Sequence, residues 1–403
     1  MRLGCLARPF GVAAAILVAA TASCSSPDAG GGANAVCNSS GVTADQVKLG
    51  FVFSDSGTGS TAFSSARSGI DARIGLANEE GGIHGRRIVY DWRDDGNSPS
   101  QNARVTEELA QQESVFGLVT ATTSIGGSLD TLATQGVPVV GLALPAWAKY
   151  QNFFSNLYEF SPQTLGRYIQ ASGGTKVAFV TTGASAITME NVARYKAIVE
   201  SIGLTVVGTI SYASASDSPT RIAGQLANVG ADSILGFTTP DDFAAIMQAV
   251  RAVNLRLAVS ISLAGYDRGL LPTLGPALAG VSFPVYFRPF EAGGAPIERY
   301  REAMTRFAPQ AVFPEQQFAM YAYIYTDMFL RGLEVAGACP TREGFISALR
   351  GVTGYDAGGL IEPVDLRDIA TKPLTCNAFV QISPAGDEFQ VVRIRLCADG
   401  GGA

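Results

Sequence analysis

Histidine is almost missing from this chain: His84 is the only one in 403 residues. A Ser/His/Asp triad or a histidine-rich metal site would hang on that one side chain, so most hydrolase and metalloenzyme chemistry is unsupported. Charge is scarce as well. Asp, Glu, Lys and Arg make up 16% of the residues, against about 25% in ordinary soluble domains. Acidic residues outnumber basic ones, 35 to 29, and no Lys/Arg block interrupts them. Nucleic-acid binding needs clustered cations and is not expected. No apolar run reaches the roughly 18 residues that would span a bilayer. What is present is an ordinary apolar fraction of 47%, with 46 Gly and 19 Pro, the composition of a globular chain.

The one prominent apolar run, Phe10 to Ala20, lies behind Arg2 and Arg8 and ends in Thr21-Ala22-Ser23-Cys24. A charged segment, a short apolar segment and small residues make a secretory signal. This one resembles a bacterial lipoprotein signal, in which the Cys after the small residues is lipidated. Thr21 departs from that pattern, which has Leu three positions before the Cys. The resemblance implies a signal at residues 1–23 and lipidation at Cys24, the alternative being ordinary cleavage that leaves a plain thiol. Residues 24–44 then form a tether, and Ser25 to Ala35 has a flexible, Gly/Ala/Ser-rich composition. A monomeric body outside the cytoplasm, touching the bacterial cell membrane only through lipid, is expected.

Cys5 leaves with the signal and Cys24 is assigned to lipid, so Cys37, Cys339, Cys376 and Cys397 remain. An even number in an exported chain reads as two disulfides with three possible pairings. Cys376 and Cys397 flank two strand-like runs around Ser383-Pro384-Ala385-Gly386-Asp387, which sets them opposite each other at the open end of a hairpin. Cys37 and Cys339 pair by elimination.

Apolar runs at Val47–Phe53, Ile88–Trp92, Val115–Val119, Val137–Leu142, Val177–Thr181, Thr205–Ile210, Ser233–Phe237, Leu257–Ile261 and Val281–Phe287 read as strands. Amphipathic stretches such as Gln101–Gln112, Glu190–Ile202 and Asp241–Val253 separate them, and Ser218-Pro219 opens another helix. Strands apolar on both faces that alternate with helices mean parallel sheets covered on both sides. The pattern starts over near residue 175, and a helical tail from Ile297 to Arg350 precedes the hairpin. The expected fold is α/β with two lobes. One is built from 45–161 and 292–370, the other from 162–291 and 371–397, with several hinge crossings between them.

In such sheets ligands sit beyond the carboxyl ends of the strands. The loops there are rich in hydroxyls, which suit a polar ligand of little net charge, although many will only cap helices and turns. Two look-alikes carry less weight. Gly57 to Ala62 fits G-x-G-x-x-A, but Asp91, taken as the end of the next strand, is too far along the chain for a dinucleotide fold. His84 sits in a turn at the end opposite the cleft. No cofactor or metal is expected.

Gly50-Phe51-Val52 to Ser56-Gly57, the run Asn78-Glu79-Glu80-Gly81-Gly82-Ile83-His84-Gly85-Arg86, the Asp94-Asp95 pair and Gly136-Val137-Pro138-Val139 together resemble the branched-chain amino-acid-binding proteins of ABC importers. These are type I periplasmic binding proteins. The resemblance covers about residues 45 to 397. It implies a non-enzymatic receptor that closes on a small solute and presents it to ABC permease subunits. Matched position by position, the family's ligand contacts fall at Ser60 to Phe63, at Thr122, Thr123 and Ser124, at Thr239 and, loosely, at Thr188. Its amino-acid binders also have a hydroxyl near what is here Pro145 and an acid near what is here Leu263. Neither is present, and a buried ammonium without acceptors is strongly disfavoured.

The expected solute is therefore a small carboxylate or amide with an apolar body rather than a zwitterionic amino acid. Thr122, Thr123 and Ser124 would hold its head at the start of the following helix. Phe63, Ala143, Leu144, Leu263 and Tyr266 would surround the rest. Asp241, Asp242 or Asp267 could replace the missing acceptors; Asp267 is the exception to watch, either an ammonium acceptor or a cap beside Gly269. A true amino-acid binder, a ligand-sensing lipoprotein on the same fold and an exported enzyme stay open as alternatives.

Overall fold

The computed structural model describes residues 37–402 except 58–59, 184–185, 215 and 373, with backbone only at 186–188. The signal, Cys24 and most of the tether lie outside the described residues.

Two sheets carry the architecture. The first holds β1 (Gln46–Phe53), β2 (Arg87–Asp94), β3 (Leu118–Ala121), β4 (Val139–Gly141) and β5 (Phe153–Phe154) in the order β2-β1-β3-β4-β5. All its pairs are parallel. The second holds β6 (Lys176–Thr182), β7 (Thr205–Tyr212), β8 (Ser233–Phe237), β9 (Val259–Ser262) and β10 (Val281–Val285), all parallel. The antiparallel hairpin β11 (Cys376–Ile382) and β12 (Phe389–Cys397) extends it, giving the order β12-β11-β10-β9-β8-β6-β7. In β1 the residues Leu49, Phe51, Val52 and Phe53 are all buried, as an inner parallel strand covered on both faces requires.

Helices α1 (Ala66–Glu79), α2 (Pro99–Glu107) and α3 (Leu129–Thr134) connect the first sheet. The second has α4 (Pro162–Ala171), α5 (Ala186–Ser201), α6 (Pro219–Asn228), α7 (Pro240–Ala252) and α8 (Leu271–Leu278). The tail supplies α9 (Ala295–Phe307), α10 (Gln317–Ala336) and α11 (Arg342–Arg350), and α9 and α10 pack on α1. Helices α2, α4, α6 and α7 all open on a Ser or Thr followed by Pro. The side chain before it can accept a free N–H and the proline occupies a position that needs none. A Cβ on Gly69 of α1 would lie 1.9 Å from the Ala319 carbonyl oxygen. Only glycine lets these two helix backbones meet, and that contact brings the tail back to the first sheet.

Some elements differ from the sequence reading. The strand expected at Val115–Val119 starts at Leu118, because the carbonyls of Val115 and Phe116 accept from the Arg342 guanidinium at 2.7 and 2.9 Å instead of pairing in the sheet. Helices α3, α4 and α8 and the short β5 had no clear periodicity; α8 contains Pro272 and Pro276. Asp91 does not end its strand: it lies inside β2 and pairs with Lys48 at 2.7 Å. His84 adopts a left-handed turn conformation, φ 49°, and its Nε2 lies 3.0 Å from the Glu334 carbonyl oxygen. The disulfides are Cys37–Cys339 and Cys376–Cys397, as expected.

Residues 155–161, 286–294 and 351–375 carry the chain between the two sheets. They are laced together. The Ser161 N–H donates to the Tyr286 hydroxyl at 2.7 Å, and the Arg288 N–H donates to the Leu360 carbonyl at 2.6 Å.

Candidate functional site

At the carboxyl end of the first sheet, the residues just past β1, β2 and β3 converge on one buried carboxylate. Asp95 is fully buried. It accepts from Ser54 Oγ at 2.8 Å, Thr122 Oγ1 at 2.5 Å, Asn102 Nδ2 at 2.9 Å and the Asn97 N–H at 3.0 Å. Its neighbour Asp94 accepts from Ser56 Oγ at 2.5 Å and from the N–H groups of Gly96, Asp55 and Ser56 at 2.8 to 3.2 Å. Burial raises the Asp94 carboxyl, but these donors outweigh it and hold the group below the usual range.

This network uses the hydroxyls that the sequence offered for a ligand head. Thr122 donates to Asp95 and accepts from the Ser124 N–H at 3.0 Å. Ser124 Oγ donates to Asn97 Oδ1 at 2.8 Å, and the exposed Thr123 reaches the same oxygen at 3.2 Å. Ala143 and Leu144 follow β4 and are half-buried.

On the second sheet Thr239 caps α7, accepting from the Asp242 N–H at 3.2 Å. Leu263 is half-buried past β9. Tyr266 is 1% exposed, and its ring packs on Phe287, Phe290 and Phe389. Its hydroxyl donates to Glu291 at 2.5 Å and accepts from the Phe290 N–H at 2.8 Å. That side chain is committed to the hinge rather than offered to the cleft. Thr188 has no described side chain.

The loops of the two sheets meet at a small cavity. Thr61 and Ala62 come from the loop after β1, Gln317 and Phe318 from the start of α10, and Pro240, Asp241, Gly265, Asp267 and Leu270 from the second sheet. Ser60 opens the turn that holds Thr61, and Phe63 packs on Phe318 with ring centroids 4.6 Å apart. The volume, about 20 Å³, holds little more than one water. The seam is closed beside it by the Gln317 N–H to the Tyr266 carbonyl, 3.0 Å, and the Arg268 N–H to the Glu315 carbonyl, 2.9 Å. The polar atoms facing this space are mostly acceptors. Gln317 Oε1 is buried without a partner, and Asp241 and Asp267 are carboxylates. Of the positions named from sequence, Asp267, Asp241 and, within the stretch Ser60 to Phe63, Thr61 and Ala62 line the cavity. Gln317 and Phe318 were not foreseen, since nothing local marks the start of a tail helix as a ligand wall.

Asp267 is the cap considered for it. It lines the cavity, and its Oδ1 accepts from the Gly269 N–H at 2.7 Å. Burial pushes its carboxyl up to about 6 from 3.8, against the pull of Gly269 and Gln316. A folded-state value above the unfolded one gives stability that is full below about pH 4 and lost as pH rises through 6. Asp267→Asn keeps the acceptor for Gly269 and removes the charge. The variant is expected to exceed the parent in stability by about 2 kcal/mol at pH 8, discounted for partial exposure, and to match it at pH 4. Urea denaturation at both pH values checks this; an equal difference at both would remove Asp267 as the cause.

No group of three or more His, Cys, Asp or Glu is placed to hold a metal among the described residues. A larger groove of about 400 Å³ lies on the hinge, between Val285–Pro289 and Gly359–Pro363, beside the carboxyl end of β10 and the start of β11.

The arrangement is one of two parallel sheets whose strand ends face a shared seam, crossed three times by the chain. A model of the periplasmic binding protein family matches residues 46–387. The chain belongs to that family. Periplasmic binding proteins are extracytoplasmic solute binders, not enzymes. Solved structures agree in fold at low identity. A fatty acid ABC transporter substrate-binding protein from Thermomonospora curvata superposes with a TM-score of 0.77 at 19% identity, covering 91% of this chain and 97% of that one. A branched-chain amino acid transporter substrate-binding protein from Streptococcus pneumoniae, in complex with isoleucine, gives 0.70 at 16%, covering 86% and 99%. An ABC transporter solute-binding protein from R. palustris, in complex with benzoate, gives 0.70 at 16%, covering 86% and 95%. These are type I binding-protein folds. A search of curated proteins finds no match.

Proposed function

We propose that this binding protein is the lipid-anchored receptor of an ABC importer of the branched-chain amino acid type, handing its solute to the permease. Its lobes, 45–161 with 292–370 and 162–291 with 371–397, close on a small solute with an apolar body and a carboxylate or amide head. The observation that carries the reading is the seam cavity, to which loops of both sheets contribute. The solutes of the three relatives, a fatty acid, isoleucine and benzoate, share an acid head and an apolar body. In this chain the amide member fits better, because Asp241, Asp267 and Gln317 Oε1 repel a carboxylate and accept from an amide N–H.

A second reading, a free amino acid, is favoured by one observation: Asp267 lies where an ammonium could pair with it. Calorimetry with isovaleramide, isovalerate and leucine, and with benzamide, benzoate and phenylalanine, separates the two. Amide binding is expected, weakening only a few-fold as pH falls through 6, where Asp267 takes up its proton and still accepts through its carbonyl oxygen. Leucine binding that weakens about tenfold per pH unit below 6 and is lost in Asp267→Asn would establish the second reading instead.

A further inference from the structure

Two short stretches of backbone face each other across the seam, outside the three crossings. Asp267 and Gln316 pair there as an isolated antiparallel bridge. Gln316 immediately precedes α10, and Asp267 immediately precedes the helical turn Arg268–Leu270 that leads into α8. The Gln317 N–H donates to the Tyr266 carbonyl at 3.0 Å, and the Arg268 N–H donates to the Glu315 carbonyl at 2.9 Å. Both donors occupy the same kind of position. Gln317 is the first residue of α10 and Arg268 the first of its turn, where no carbonyl of the same helix can reach the N–H. The first lobe thus caps a helical start of the second, and the second caps one of the first.

We infer that this reciprocal cap is a latch that holds the lobes closed in the absence of solute. It rests on the two-lobe reading above and goes beyond it, since it requires no particular solute. In an open form all four groups would face water, so the net gain from pairing them is only the difference between a protein and a water hydrogen bond. Two such bonds favour the closed form by about 5- to 150-fold, which makes a form otherwise equally populated the dominant one. The closed cavity, about 20 Å³, admits no solute of the size considered above. Entry must therefore wait for the latch to part.

The backbone before each donor permits a selective test. Gln316 has φ −129° and ψ 131°, and Asp267 has φ −144° and ψ 115°. Both are extended, as the residue before a proline must be. Proline is also well accommodated at the first helical position, which uses no N–H of its own. Gln317→Pro with Arg268→Pro thus deletes the two latch donors and leaves both helical starts intact. Gln317→Ala with Arg268→Ala removes the side chains, including the Gln317 Nε2 contact to the Leu263 carbonyl at 3.4 Å, but keeps both N–H groups.

Small-angle scattering of the solute-free parent and the two double variants tests the inference, with circular dichroism to confirm that each is folded. The parent and the alanine pair are expected to share one compact radius of gyration, and the proline pair to have a larger one. Equal radii for the proline and alanine pairs overturn the latch, and so does a solute-free parent as expanded as the proline pair. Should the proline pair not fold, hydrogen exchange on the parent decides. The Arg268 and Gln317 amides are expected to exchange at least about fivefold more slowly than free amides, and exchange at the free-amide rate overturns the latch. All of these measurements are made without solute, so their failure leaves the receptor reading standing. Failure of every amide, carboxylate and amino acid to bind would remove that reading and leave the latch.

Discussion

Asp95→Ala should lower stability by about 3–5 kcal/mol and abolish solute binding. The carboxylate is completely buried and accepts from Ser54, Thr122, Asn102 and the Asn97 backbone. Hydrogen bonds to a buried charge contribute about 1.5–3 kcal/mol each, and donors left without an acceptor add their own desolvation cost. Four donors lose their acceptor together, and water entering the gap recovers part of the loss. The functional effect follows from where the donors sit. They tie the ends of β1, β2 and β3 into one plane, and through Asn97 they hold Thr123 and Ser124. Freed from Asp95, the loop after β1 no longer presents Thr61 and Ala62 to the seam. Asp95→Asn keeps the volume but accepts through one oxygen only, and should lie between parent and Ala. Urea denaturation and calorimetry read the two effects separately. A stability loss below about 1 kcal/mol would mean that the hub is dispensable.

The second large effect is a contrast between disulfides. Cys37–Cys339 closes a loop with a sequence separation of 302, and Cys376–Cys397 one of 21. Loop-closure entropy gives about 5–6 kcal/mol for the first and about 3 for the second, as upper figures. Replacing Cys37 and Cys339 by Ser should therefore destabilise the protein by about 3–5 kcal/mol, the larger of the two losses. The place of the bond adds to the effect. The Arg86 guanidinium donates to Cys37 Sγ at 3.2 Å and to the Ala338 carbonyl at 2.6 Å, so the bridge anchors a shared polar corner. Replacing Cys376 and Cys397 should cost less, because the ladder between β11 and β12 holds that hairpin independently. Denaturant midpoints of the two double variants, measured side by side, decide. Equal losses would show that loop length does not govern here.

Most of the fold was legible because it is written in local pattern. The alternating apolar runs became parallel strands, and the hairpin geometry set Cys376 against Cys397. The Ser/Thr-Pro pairs at Ser98, Ser161, Ser218 and Thr239 mark helix starts. Legibility failed where a distant group competed with a local preference. Val115 and Phe116 have strand composition, yet Arg342, more than two hundred residues later, takes their carbonyls. Helix α8 is hidden by its prolines and held by packing on α7.

The candidate site divides in the same way. From sequence alone came the family resemblance, the two-sheet architecture, the loops at the strand ends and the importance of Asp267. Those depend on residue type and spacing, which the chain carries explicitly. Only the tertiary structure decided which polar groups are committed and which are free. Thr122 and Ser124 have the right hydroxyls in the right loop, but Asp95 and Asn97 reach them first. Gln317 looks like an ordinary helix residue, yet its Oε1 is left without a partner beside the seam. A hydrogen bond belongs to whichever donor and acceptor the fold brings within about 3 Å, and that pairing joins residues far apart in the chain.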